Sequence, residues 1–308
     1  MNRGSVARLT TLALIWGSSF LLIKFALEGV TPAQLVLGRL VAGALVLLVI
    51  VKVTGESLPG DRVVWLHLTV MSVVANIIPF FLFAWGEQGV TSGMAGILNG
   101  TTPLFTLAVA MAALSDEDWS AQRIGGLLLG FVGVVVVVGP WNTDGRVNAL
   151  SGQLACLGAA GCYGVGFVYA RRFLSYRKLP PLSLSAAQLT LATVLLTVTA
   201  PLTMRGDLQL TPSVVVSVLL LGGVGTGLAY LLFYRLIGDV GATSASLVTY
   251  LIPVVAVALG VVVQDDPLTW NVFAGAAIVV VSAAIAEGRV SARPVTEAPA
   301  IPTHQEVP

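Results

Sequence analysis

The stretch TSGMAGILNGTTPLFTLAVAMAA, from Thr91 to Ala113, is apolar over the length of a bilayer crossing and carries Pro103 near its centre. A spanning helix needs about 20 predominantly apolar residues, so this stretch reads as one helix kinked at its proline. A second stretch, GATSASLVTYLIPVVAVALGVVV from Gly241, repeats the design. Laying Pro103 on Pro253, an offset of 150, also lays Ala95 on Ala245 and the polar Asn99 on the polar Thr249. Two such copies point to a chain built by duplication.

Further apolar runs flank this pair and bring the number to ten, at about 8–26, 33–53, 63–86, 92–113, 121–139, 151–173, 183–203, 212–236, 242–263 and 270–287. They are continuous rather than alternating, which selects helices over a barrel, the other architecture lipid tolerates. Composition agrees. Of 308 residues 56% are hydrophobic and 10% charged, with a mean hydropathy of +0.92, against roughly 25% charged in soluble domains. The chain is therefore expected to be an all-α integral membrane protein. The run at 8–26 follows Arg3 and Arg8 as a signal peptide would, but it is long, Lys24 follows it and no A-x-A site appears, so it is expected to stay in the mature protein.

The duplication covers the whole chain. Trp16-Gly17 matches Tyr163-Gly164, Phe20 matches Phe167 and Lys24 matches Arg171 at an offset of 147. Arg39 matches Gln188, Glu117 matches Asp266 and Gly126 matches Gly275 at 149, and Val90 matches Val240 at 150. Residues 1–145 and 146–288 are thus expected to be two five-helix repeats, followed by a polar, proline-rich tail at 289–308 that contains His304. An odd number of helices per repeat sends the second copy into the membrane from the opposite side, the inverted plan of many secondary transporters.

Charge gives the orientation. With the amino terminus inside, the inner segments hold Arg3, Arg8, Lys52, Arg62, Arg123, Arg171, Arg172, Arg177, Lys178, Arg235, Arg289 and Arg293, while the outer ones hold Lys24, Arg146 and Arg205. Both termini are expected in the cytoplasm. The net charge of +1 shows no bias toward nucleic acid.

Catalytic patterns are scarce. His67 and His304 are the only histidines, and no zinc-protease, nucleophile-elbow or phosphate-loop motif occurs. Cys156 and Cys162 share one apolar run and read as small buried residues. The acidic groups Asp116-Glu117-Asp118 and Asp265-Asp266 fall in loops at opposite ends and read as solvated or helix-start charges. No catalytic residue, metal or cofactor is expected.

Polar residues at membrane depth carry more, because each is costly without a partner or a wet cavity. Asn99 and Thr102 lie within a turn of Pro103, and Thr249 and Tyr250 within a turn of Pro253. Asn76 is deep in the third run. Trp16, Phe20, Tyr163, Phe167, Tyr230 and Tyr234 supply candidate walls. All these except Tyr234 are expected to contact a small-molecule substrate, although belt or packing roles account equally for the aromatic residues and an interhelical hydrogen bond for Asn76. Ser92, Gly96 and Gly100 recur every four residues and read as a close-packing face. Arg39 and Glu87 are expected to interact at an outer gate, with Gln188 and Arg235 in the equivalent inner region, although snorkelling also accounts for the charges.

The order and duplication of these features, with W-G-S-S-F in helix one, a mid-helix proline in helices four and nine, and Glu117 or Asp266 before an x-x-I/F-x-G helix, resemble the EamA-type branch of the drug/metabolite transporter superfamily. The likeness covers about residues 8–287. It implies ten helices, both termini inside, a central cavity between the halves, and movement of a small metabolite such as an amino acid, often as export, across the plasma membrane by a monomer or homodimer. A polytopic enzyme or a sensor is the alternative. The first lacks paired catalytic groups and the second is disfavoured by the duplicated plan.

Overall fold

The computed structural model describes residues 3–114, 119–139, 149–177, 179–204, 206–245, 248–266 and 269–286. The acidic group at 116–118, Arg146, Lys178, Arg205 and the tail at 289–308 lie outside the described residues. Within them the chain forms α1 (Arg3–Leu27), α2 (Pro32–Thr54), α3 (Arg62–Gly86), α4 (Ser92–Ala113), α5 (Ala121–Val138), α6 (Leu150–Phe173), α7 (Pro181–Thr203), α8 (Pro212–Leu219, Leu220–Leu228 and Ala229–Ala245 in succession), α9 (Val248–Gln264) and α10 (Trp270–Ala286). Eight of these are long and apolar enough to cross a membrane, and α9 and α10 are apolar helices of 17 residues each. The protein is an all-α multi-pass membrane protein.

Helix starts follow from sequence. Thr31, Thr91 and Thr211 precede α2, α4 and α8, and each hydroxyl accepts the backbone N–H three residues on, at 3.2–3.4 Å. These caps share one end of the bundle with Glu87, called here the Glu87 end; the other end carries Arg3 and is called the terminal end.

The expected kink at Pro103 is a break. α4 consists of Ser92–Asn99 and Thr102–Ala113, interrupted at Gly100-Thr101. Proline cannot donate to the carbonyl four residues back, which is that of Asn99. The Thr102 hydroxyl donates to this carbonyl instead, at 2.7 Å. By contrast α9 runs through Pro253 uninterrupted. α8 also runs on to Ala245, beyond the expected end near 236.

Packing repeats at the offset of the sequence copies. α1 packs on α9 and α8 as α6 packs on α4 and α3, while α2 meets α8 as α7 meets α3. α5 and α10, counterparts of each other, pair together. Small residues permit the tightest of these approaches. A Cβ on Gly17 would stand 2.5 Å from the Cβ of Val255, and one on Gly164 would stand 2.8 Å from the Thr106 nitrogen and 3.0 Å from the Phe105 Cβ. Gly96 and Gly100 lie against Ala256 and Pro253, as expected of a packing face.

One apolar cluster fills the Glu87 end and follows the α2–α7 seam, including Phe20, Leu35, Phe83, Ala95 and Leu189. At the terminal end two clusters stand apart. One joins α1, α8 and α9 through Leu12, Leu236 and Val248, and the other joins α3, α6 and α7 through Val64, Leu68 and Ala187.

Candidate functional site

α3 and α8 each contain a π-helical stretch, Val73–Ile77 and Leu220–Leu228. Such turns are rare and collect at functional sites, because the wider turn leaves backbone and side chains out of the regular ladder. At the 150-residue offset the first falls inside the second, and Asn76 coincides with Thr226. These two polar residues anchor the centre of the molecule.

Each is met by a helix of the other repeat. Arg39 of α2 donates from Nε to the Thr226 hydroxyl at 3.1 Å, and Gln188 of α7 donates from Nε2 to Asn76 Oδ1 at 2.5 Å. Arg39 and Gln188 are themselves copies, so the arrangement is two related polar pairs. The backbone contacts obey the same relation. Ser72 donates to the Gln188 carbonyl at 2.7 Å, while its counterpart Gly222 has no room for a side chain, since a Cβ there would stand 2.5 Å from the Arg39 carbonyl oxygen. The pairs satisfy groups that hydrocarbon cannot.

Aromatic rings surround this centre. The Arg39 guanidinium lies over Phe80, 3.9 Å from the ring centroid. Tyr163, Tyr230 and Glu87 are the titratable side chains around its charge, and Tyr230 lies beside Asn76. Phe83 lies between Phe20 and Tyr163, with centroids at 5.5 and 6.1 Å. Trp16 donates from Nε1 to the Gly225 carbonyl at 3.1 Å and tilts against Phe233.

The expected site residues therefore divide. Trp16, Phe20, Asn76, Tyr163, Tyr230, Arg39 and Gln188 come together. Thr102 is buried and engaged on the Asn99 carbonyl, so it serves the helix break. Among the described residues the Asn99 side chain makes no hydrogen bond. Thr249 and Tyr250 line a separate recess with Gly100, Pro253 and Ala276, between α4, α9 and α10, and Tyr250 packs toward Leu104 and Val279. Phe167 is on the helix face of Tyr163, one turn toward the terminal end, and is 58% exposed. The side chain of Tyr234 lies outside the described residues.

The expected gate pairing is not seen. Among the described residues no ion pair joins Arg39 to Glu87, because Arg39 is turned to Thr226 and Phe80. Gln188 meets Asn76 rather than Arg235, which is exposed. Phe80, Phe83 and Thr226 were missed from sequence; the 150-residue offset that maps Asn76 onto Thr226 was the signal for the last.

Glu87 lies just beyond the end of α3 with 0% of its surface exposed, and neither carboxylate oxygen has a hydrogen-bond partner among the described residues. Burial pushes its carboxyl well above the usual carboxylate range, and Lys24 and Arg39 offset this only in part. A carboxyl raised on folding favours the native state below its unfolded value of about 4.3, and that advantage is lost as pH rises toward the folded value. Melts of the purified protein between about pH 5 and pH 8 should therefore show stability falling as pH rises. Glu87→Gln should flatten this slope; an unchanged slope would show that Glu87 does not set it.

The Glu87 end is tied across the repeats. Asp266 accepts from the Gly93 N–H at 3.2 Å and the Ser92 hydroxyl at 3.3 Å, so this acid sits at the start of α4 rather than standing free in a loop. Gln209 N–H donates to the Gly29 carbonyl at 2.9 Å, and Ala149 N–H to the Gly89 carbonyl at 2.8 Å.

The chain is 24% identical over 270 residues to an uncharacterized transporter, YoaV, of Bacillus subtilis, covering 87% of this chain and 91% of that protein. It is 25% identical over 278 residues to a protein of Salmonella typhimurium named as a probable amino-acid metabolite efflux pump, covering 86% and 89%. A solved crystal structure superposes with a TM-score of 0.66 at 21% identity, covering 93% of this chain and 99% of the other, which shows the shared fold. The EamA-like transporter family matches twice, over residues 6–139 and again over 150–287. Each match spans five of the helices described above, and the chain belongs to this family of membrane transporters.

Proposed function

We propose that the protein is a secondary transporter that exports an amino acid or related small metabolite across the plasma membrane by alternating access. The observation that carries this reading is an inequality between copies. Phe20 and Phe167 occupy equivalent positions in α1 and α6, yet Phe20 is 6% exposed and Phe167 58% exposed. Two symmetry-related groups of helices, closed on each other at one end and parted at the other, produce this difference. The ties of Asp266, Gln209 and Ala149 at the Glu87 end, and the separated clusters at the terminal end, support the same state.

The moving units on this reading are not the sequence halves. α1, α8 and α9 form one group and α3, α4 and α6 its copy, each drawn from both repeats. They rock about the Arg39–Thr226 and Asn76–Gln188 pairs, with the substrate held among Trp16, Phe20, Tyr163 and Tyr230. The excess of arginine and lysine at the terminal end supports cytoplasmic termini, so the state is open to the cytoplasm. The efflux-pump names of the Salmonella protein and of an Escherichia coli relative that is 23% identical support an amino acid class and outward movement.

Proteoliposome counterflow tests the reading. Preloaded vesicles containing the purified protein should accumulate tracer amounts of at least one amino acid or related compound, and empty vesicles should not. Failure across a broad panel of amino acids, nucleosides and drugs, with protein that melts cooperatively, would contradict it.

A further inference from the structure

The central site holds more hydrogen-bond donors than its own acceptors consume. Arg39 lies seven residues after the start of α2, about 10 Å along the helix from the Glu87 end. Nε is bound to Thr226 and the guanidinium face rests on Phe80. Among the described residues its two terminal nitrogens meet no acceptor, and no carboxylate pairs with it. A cation at this depth is costly unless an anion or a wet cavity accompanies it.

Asn76 supplies an independent sign of the same deficit. It is 0% exposed, its Oδ1 accepts from Gln188, and its Nδ2 has no hydrogen-bond partner among the described residues. Tyr230 adjoins both Asn76 and the Arg39 charge. The acid that acts on Arg39 from the Glu87 end, Glu87, is not within ion-pair distance of it. The missing component is a small acceptor with negative charge, next to apolar aromatic walls at Phe20, Phe83 and Tyr163.

We infer that the terminal nitrogens of Arg39, with Nδ2 of Asn76, receive the free carboxylate of the transported compound, while its apolar body lies on the aromatic walls. This deepens the transport reading and rests on it. The guanidinium fork matches a carboxylate with two parallel bonds, which a lysine ammonium cannot reproduce. The site therefore distinguishes an acid from its amide or its decarboxylated amine, and not merely large compounds from small ones.

Thermal melts of the purified full chain test this with matched probes: phenylalanine against phenylalaninamide, leucine against leucinamide, and benzoate against benzamide, each at about 10 mM. At least one acid should raise the midpoint while its amide does not. Arg39→Gln should weaken the response to that acid by about tenfold or more, and Arg39→Lys should restore it only in part. The acid–amide comparison needs no variant, so it decides even if a substitution impairs folding. Equal responses to acid and amide, no response to any acid, or a response kept within about twofold in Arg39→Gln would overturn the inference. Counterflow of an amine or nucleoside by a protein that ignores every acid would remove this inference and leave transport standing; absence of all counterflow would remove both.

Discussion

Valine in place of Gly17 or Gly164 should sharply reduce the yield of folded protein, and by similar amounts. At Gly17 the new Cβ would press on the Val255 side chain at 2.5 Å and on the Ile252 carbonyl oxygen at 3.1 Å. At Gly164 it would meet the Thr106 nitrogen at 2.8 Å and the Phe105 carbonyl carbon at 2.9 Å, which are backbone atoms and cannot turn away. Overpacking of this kind typically costs about 1–3 kcal/mol even for added methylenes, and valine adds a branch at the point of contact. Gly161→Ala is the control, since its nearest neighbour would be a Phe105 ring carbon at 3.7 Å, an ordinary contact. Melts of detergent-solubilised protein should show the control near wild type and both valine variants well below it. Tolerance of valine at either glycine would mean that the α1–α9 and α6–α4 crossings are not as close as described.

The paired effect is expected because these crossings are copies, and the copying was legible in the chain. Gly17 lies beside Trp16 and Gly164 beside Tyr163, at the offset that also matches Phe20 with Phe167. Apolar runs of bilayer length and a recurring proline suffice to read ten helices and a duplicated plan. The family model matches residues 6–139 and 150–287.

The site was less legible, for identifiable reasons. Sequence spacing assumes a regular helix, and the π stretches of α3 and α8 shift which residues face the centre. Arg39 meets Thr226, inside the second of these stretches, instead of Glu87. Nearness to a proline marked both Asn99 and Thr102 as polar residues of interest, but only the structure shows that the Thr102 hydroxyl bonds the carbonyl freed by Pro103. The recess around Thr249 and Tyr250 separates from the centre because it is bounded by α10, a helix that apolar periodicity alone could not place beside α9. Finally, symmetry in sequence predicts equal environments for Phe20 and Phe167, and no sequence reading supplies their unequal exposure.

Transport by alternating access would require the Glu87 end to open between α4 and α9. At that seam a Cβ on Gly260 would stand 3.0 Å from Ser92 Oγ, close enough that a disulfide needs little backbone movement. The same Cβ would crowd Asp266 Oδ2 at 2.3 Å, the end of a side chain able to swing aside. The direct test places Ser92→Cys and Gly260→Cys in a chain whose Cys156 and Cys162 are replaced by alanine, and measures counterflow with the pair oxidised and again after reduction. The cross-linked protein, still folded, should stop exchanging, and reduction should restore exchange; equal exchange rates in the oxidised and reduced forms would show that this seam does not open during transport.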